Sequence, residues 1–173
     1  MKSVSFKTLS ITIWHFLCFS LLSQGQDLTA YVFIAEECPI SIQMTQALKE
    51  SADKFGEEIK FIAVFPNRKS NYKTMVLFLR EYGLDQFESI LDSDQAIARK
   101  YGATITPEVI IVNNLQEILY RGQISDAYHK VGRRKHGKIQ NLLTASIAKI
   151  LDGFEVDRPW PKAIGCYITF HSN

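Results

Sequence analysis

Cysteine is scarce in this chain, with three in 173 residues and none at Cys-x-x-Cys spacing. In the stretch AEECPISIQM, residues 35–44, the position three after Cys38 is Ser41, so a disulfide within one helical turn is excluded. Internal repeats, low-complexity tracts and long linkers are missing too, which favours one domain. The 46% of hydrophobic residues is enough for a sizeable core. Charge of one sign is also lacking, with Lys+Arg 20 against Asp+Glu 18. Nucleic-acid binding needs a net positive surface, and this balance argues against it.

What is present begins with a leader. Lys2 and Lys7 precede an apolar run from Leu9 to Leu22, and Ser23-Gln24-Gly25 supplies small residues at −3 and −1. That is the order of a secretory signal peptide over residues 1–25, with the mature domain at 26–173. The run is shorter and more polar than the ~20 apolar residues of a membrane span; a retained anchor is the alternative. Export, to a periplasmic or extracellular site, follows from the leader. Removing it takes two lysines and no acids, leaving 18 of each sign, and takes Cys18 as well. The two remaining cysteines, Cys38 and Cys166, read first as a potential pair, because exported proteins sit where disulfides persist.

Periodicity gives alternating elements. TAYVFIA (29–35) and IKFIAVF (59–65) are apolar on both faces, as buried central strands are. Between them Ile40, Met44, Ala47, Leu48 and Phe55 recur at helical spacing up to Gly56. A second helix is predicted from about Asn71 to Tyr82. A short strand at ESILDSD (88–94) runs into the helix QAIARKY, with Asp92 or Ser93 as its cap and Gly102 at its end. EVIIV (108–112) and EILYR (117–121) form a hairpin across Asn113-Asn114, residues that tolerate left-handed conformations. A long polar loop leads to a last helix around Leu142–Leu151, and the tail from about 153 reads as irregular. A parallel crossover followed by a hairpin implies an α/β domain, its sheet mixed and its helices on both faces.

Cys38 stands where a buried strand gives way to a helix. Helix N-termini carry partial positive charge and unpaired N–H groups that stabilise a thiolate. Pro39 suits the first helical position. Glu36 and Glu37 oppose a second negative charge beside them. The alternative is that Cys38 is a small buried hydrophobe. Thr106-Pro107 opens the strand EVIIV, as a cis or as an ordinary trans proline.

Together, Cys38-Pro39, Thr106-Pro107-Glu108, the hairpin and the closing helix resemble the thioredoxin fold, a three-layer α/β/α sandwich with a mixed central sheet. DSDQAIARKYGATITPEVIIV, ILYRGQISDAY and the tail AIGCYI resemble the exported redoxin branch related to alkyl hydroperoxide reductase and thiol-specific antioxidant proteins. The resemblance implies a thiol–disulfide oxidoreductase in which Cys38 is the nucleophile. Pro39, Thr106 and Pro107 would border the groove holding a substrate's protein thiol or disulfide. It leaves the reducing partner unnamed.

The chain departs from that pattern at Ser41. It also departs at Ala35 and Tyr31, where the peroxidase motif has a hydroxyl residue and a proline, so peroxidase activity ranks third. Cys166 is the remaining thiol for Cys38, as a catalytic resolving partner or in a structural bridge pinning the tail. Such a bridge would contribute about 2–5 kcal/mol. A non-enzymatic accessory or copper-binding protein is the second reading. Two thiolates with an imidazole suit Cu(I); the imidazoles are His129, His136 and His171, none closely spaced to a cysteine. The reading taken assigns no metal and no cofactor. The basic loop HKVGRRKHGK (129–138) is a solvated loop or a site for an acidic partner. Trp160 is expected to pack the tail onto the core, and Arg121 to be structural.

Overall fold

Strand β1, Leu28–Phe33, lies at the centre of a five-stranded sheet in the computed structural model, which describes residues 27–171. The leader read over residues 1–25 lies outside the described residues. After β1 come α1 (Pro39–Phe55), β2 (Ile59–Phe65), α2 (Tyr72–Glu81), β3 (Glu88–Leu91) and α3 (Ala96–Tyr101). Then follow β4 (Ile105–Thr106), β5 (Glu108–Val112), β6 (Ile118–Gly122), β7 (Tyr128–Lys130), β8 (Arg133–Arg134), α4 (Leu142–Leu151) and β9 (Cys166–Tyr167). The sheet order is β3-β2-β1-β5-β6. β1, β2 and β3 run parallel, and β5 is antiparallel to both β1 and β6. This is the mixed sheet that the crossover-then-hairpin order implies.

Strand residues alternate between two cores. Ala30, Val32, Ala63 and Ile111 face one layer, where Leu48 of α1, Phe78 of α2 and Leu143 and Ile147 of α4 pack. Phe33, Val64, Ile110 and Val112 face the other, against Ala98 and Tyr101 of α3 and Ile168 of the tail. Each fully buried Leu, Ile or Phe contributes about 1.5–3 kcal/mol of transfer free energy. Because α3 is short, the tail supplies part of the second layer.

The helix caps follow from the sequence. Asn71 Oδ1 accepts from the Thr74 N–H at 3.1 Å while Thr74 Oγ1 accepts from the Asn71 N–H at 3.0 Å, a capping box for α2. Asp92 takes the N–H groups of Ile97 and Ala98 at 3.0 and 2.9 Å, and Gly102, at φ 63°, ends α3.

Three local readings change. In the β5–β6 hairpin the left-handed residue is Gln116, at φ 64°. Asn113 instead accepts from the N–H groups of Leu115 and Glu117 through its side chain, so it organises the turn from outside. The basic loop is partly a hairpin, β7–β8, whose Lys135 is tied to Asp126. The tail is not irregular throughout, since β9 pairs antiparallel with β4. Arg121 is structural as expected: it pairs with the buried Glu108 at 3.3 Å and donates to the Tyr101 carbonyl.

Candidate active site

Cys38 is the N-cap residue of the 17-residue helix α1, with Pro39 in its first turn. Its carbonyl receives the Ile42 N–H at 3.1 Å, and its sulfur points inward, leaving the residue 2% exposed. The thiol donates to the Thr106 carbonyl at 3.2 Å. The Thr106–Pro107 bond is cis, one of the two alternatives the sequence left open. The site therefore brings Cys38, Thr106 and Pro107 together at the start of α1, with Pro39 alongside.

The tail completes it. β9 pairs Cys166 with Thr106 and Tyr167 with Ile105, and the Thr106 hydroxyl donates to the Cys166 carbonyl at 3.4 Å. Gly165 is required here: a Cβ at that position would run into the Thr106 carbonyl and lie 3.1 Å from Pro107 Cδ. Ile164 joins Ile40, Pro107 and Tyr128 in lining a notch beside the site. The surface next to Pro107 is thus occupied by the chain's own tail. Both cysteines are free thiols, Cys38 buried and Cys166 exposed.

The two thiols have opposite electrostatics. Burial pushes the Cys38 thiol up, but it is outweighed by hydrogen bonds from the Cys166 thiol, from the Ser41 N–H and hydroxyl, and from the Cys166 backbone. The net result holds Cys38 below its ordinary value of 9.0. Burial, followed by the hydrogen bond and the charge of Cys38, pushes Cys166 up to about 11. One proton shared between neighbouring sulfurs has this outcome: the first to ionise is held by the second, which then resists ionising.

Ser41 is the residue that sequence reasoning undervalued. It was noted as a missing thiol, yet its Oγ accepts the Ala35 N–H at 3.3 Å, which leaves the hydroxyl hydrogen for Cys38. The signal was there: a hydroxyl residue one turn into a helix lies over the helix start. Glu36 and Glu37, expected to oppose the thiolate, are turned away. Glu36 accepts from Ser70 and Thr74 hydroxyls at 2.5 and 2.8 Å, and Glu37 lies 3.9 Å from Lys69. Ala35 offers no hydroxyl to Cys38. Tyr31 stacks on Tyr101 on the other side of the sheet, with ring centroids 4.7 Å apart.

The tail carrying Cys166 is clamped on both sides. The Gln123 N–H donates to Pro161 O at 3.1 Å, and the Ile168 N–H to Thr104 O at 2.9 Å. Gln95, 1% exposed, donates to Thr169 O at 2.8 Å and accepts from the His171 N–H at 3.1 Å. Trp160 packs edge-on to Tyr120, as expected for a residue that seats the tail. Among the described residues no three His, Cys, Asp or Glu side chains converge as a metal site, so His129, His136 and His171 are not gathered around the thiols. No described helix is long and apolar enough to cross a membrane.

No protein-family model matches the chain, and no curated protein matches it. Solved structures do. The hypothetical protein SMc02350 from Sinorhizobium meliloti 1021 superposes with a TM-score of 0.74 at 24% identity, covering 86% of this chain and 82% of that one. A secreted Mycobacterium tuberculosis disulfide oxidoreductase, homologous to Escherichia coli DsbE, matches at 0.53 and 18%, over 72% and 82%. The thioredoxin domain of a thiol-disulfide oxidoreductase from Bacteroides vulgatus matches at 0.55 and 13%, over 73% and 81%. With the mixed sheet and its two helical layers, these likenesses establish a thioredoxin-like α/β fold.

Proposed function

We propose that this thioredoxin-fold protein is an exported thiol–disulfide oxidoreductase whose working couple is Cys38 and Cys166. The observation that supports the proposal is the juxtaposition of a buried sulfur at the start of α1 with an exposed cysteine delivered by the tail, both against Thr106. The Cys38–Cys166 bridge forms by exchange with an external disulfide, which is reduced to two thiols, and the Cys38 thiolate is released when a partner's thiols reduce the bridge. Ser41 holds the released thiolate through its N–H and hydroxyl. Thr106 and Pro107 position the tail strand, and Pro39 opens the helix whose N-terminus faces the sulfur. The leader over residues 1–25 and the resemblance to a secreted oxidoreductase support a working place outside the cytoplasm. The β7–β8 hairpin is joined to α1 by Tyr128, which hydrogen-bonds Gln43, so its basic residues flank the site and favour an acidic partner.

A structural disulfide pinning the tail to the core is the second reading, favoured by the 2% exposure of Cys38, which would shield one side of a bridge from reductants. Equilibration of protein lacking residues 1–25 in graded glutathione buffers, with alkylation and mass spectrometry, separates the two. A reversible bridge with a potential between roughly −120 and −270 mV is the expected result. A bridge that persists below about −300 mV would make it structural. Thiols that never pair would overturn both readings.

A further inference from the structure

The tail does two things at once: it delivers one sulfur and covers the other. Cys38 is 2% exposed, and the groove beside it is filled by Ile164 and Gly165, the latter seated on the Thr106 carbonyl. Cys166 is exposed, and its neighbour Tyr167 is 81% exposed. Clamps at Pro161, Ile168 and Thr169 hold this arrangement from both flanks.

We propose that in the bridged protein Cys166, not the helix-opening Cys38, is the sulfur attacked by a partner's thiolate, so that the mixed disulfide forms on the tail. This rests on the couple proposed above and adds the direction of attack. Thiol–disulfide exchange is an in-line displacement: the incoming sulfur approaches along the S–S axis, opposite the leaving sulfur. Attack on Cys38 would need a path to a sulfur whose residue is 2% exposed and is covered by the tail. Attack on Cys166 comes from solvent.

The chemistry agrees with the access. In the step at Cys166, the partner thiolate bonds to the Cys166 sulfur, the Cys166–Cys38 bond breaks, and its electron pair leaves on Cys38. The partner sulfur is oxidised and Cys38 is reduced. The leaving thiolate falls onto the donors already arrayed around it, the Ser41 N–H and hydroxyl. The Ser41 groups are independent of Cys166, so they stabilise the leaving Cys38 thiolate while Cys166 is held in the mixed disulfide, and a stabilised thiolate leaves faster. A second partner thiolate then attacks the partner sulfur of the mixed disulfide, forming the partner's disulfide and freeing Cys166, which takes up a proton. The bridged protein is therefore an electron acceptor, and its substrate class is a reduced dithiol, a protein thiol pair on a surface able to reach an exposed strand. Re-formation of the bridge needs an external disulfide; glutathione disulfide serves in the test.

Protein lacking residues 1–25 would be bridged with glutathione disulfide, desalted and mixed with reduced glutathione. Acid quenching at successive early times, alkylation and peptide mass spectrometry then locate the adduct. Glutathione on the Cys166 peptide in excess over the Cys38 peptide, by at least about tenfold, is the expected result. Early adducts mainly on Cys38 would overturn the inference and leave the redox couple standing. A chain that never bridges would overturn this inference together with the function it rests on.

Discussion

Ser41→Ala tests why Cys38 ionises early. Ser41 is 1% exposed, its Oγ accepts from the Ala35 N–H, and its hydroxyl is among the groups that hold the Cys38 thiol below its ordinary value. A hydrogen bond to a charged group contributes about 1.5–3 kcal/mol. Three donors remain after the substitution, the Ser41 backbone N–H (now Ala) and the thiol and N–H of Cys166, and they close in on the charge. The loss should therefore fall at the low end, about 1.4 kcal/mol, which is one pKa unit upward for Cys38. The thiolate exists only in the reduced protein. At pH above the new pKa, the reduced form loses that same free energy relative to the bridge, and the potential of the couple drops by about 30 mV. At pH below both values Cys38 is protonated in either protein and the two potentials converge.

The assay is thiolate absorbance against pH on the reduced proteins, with the potential read in glutathione buffers at several pH values. Cys166, pushed up to about 11, stays protonated over the range in which Cys38 titrates, so the first step belongs to Cys38. A variant that folds normally and titrates like the wild type would refute the donor role of Ser41. A potential that moves by the same amount at every pH would also refute it, because the effect would then not pass through the thiolate.

Three further outcomes are expected. Gly165→Ala drives a Cβ into the Thr106 carbonyl and must lift the tail, so Cys38 should return toward its ordinary value of 9.0 and bridge less readily with glutathione disulfide; equal bridging would show that seating of Gly165 does not couple the thiols. Glu108 is held above its ordinary 4.5 by burial, opposed by Arg121, so its contribution to stability is present below 4.5 and is lost as pH rises through its folded value. Glu108→Gln should therefore gain on the wild type in urea midpoint between acid and neutral pH; parallel pH profiles would count against this. Burial pushes the Tyr120 phenol up to about 12, so it remains a donor to the Gln123 carbonyl, at 2.7 Å, throughout thiol titration. Tyr120→Phe should cost about 1–3 kcal/mol in denaturant unfolding, and no loss would mean that the carbonyl finds another partner.

The strands and helices were legible because their signals are local. Doubly apolar runs mark central strands, and Asp92, Asn71 and Gly102 mark helix ends by chemistry that acts within a turn. That Cys166 comes beside Cys38 was readable only as arithmetic, two thiols left once the expected leader is set aside. The geometry depends on a contact between residues 60 positions apart, Thr106 with Cys166, and on the absence of a side chain at Gly165. No period or propensity announces a two-residue strand such as β9. Ser41 was misjudged for a different reason: it was compared with the cysteine that it replaces, when its own hydroxyl was the relevant property. Glu36 and Glu37 were read as neighbours of Cys38 in sequence, while the fold commits Glu36 to Ser70 and Thr74, at the start of α2.

A dithiol within one helical turn would be indifferent to the chain's end. Here the second sulfur arrives on the tail, so bridge formation and tail docking are linked. Docking raises the effective concentration of Cys166 at Cys38, and a formed bridge must hold the tail by the same free energy. Weakening the clamp therefore makes the bridge easier to reduce, and reduction makes the clamp carry the tail alone. The hydrogen bonds at Pro161, Ile168 and Thr169 explain how the reduced protein can still present Cys166 in place. They limit how far the tail strays when no bridge holds it. They also separate the two roles proposed for it: clamps that survive reduction leave the bridge free to act as a redox couple, whereas a tail that depended on its disulfide would need that disulfide to be permanent.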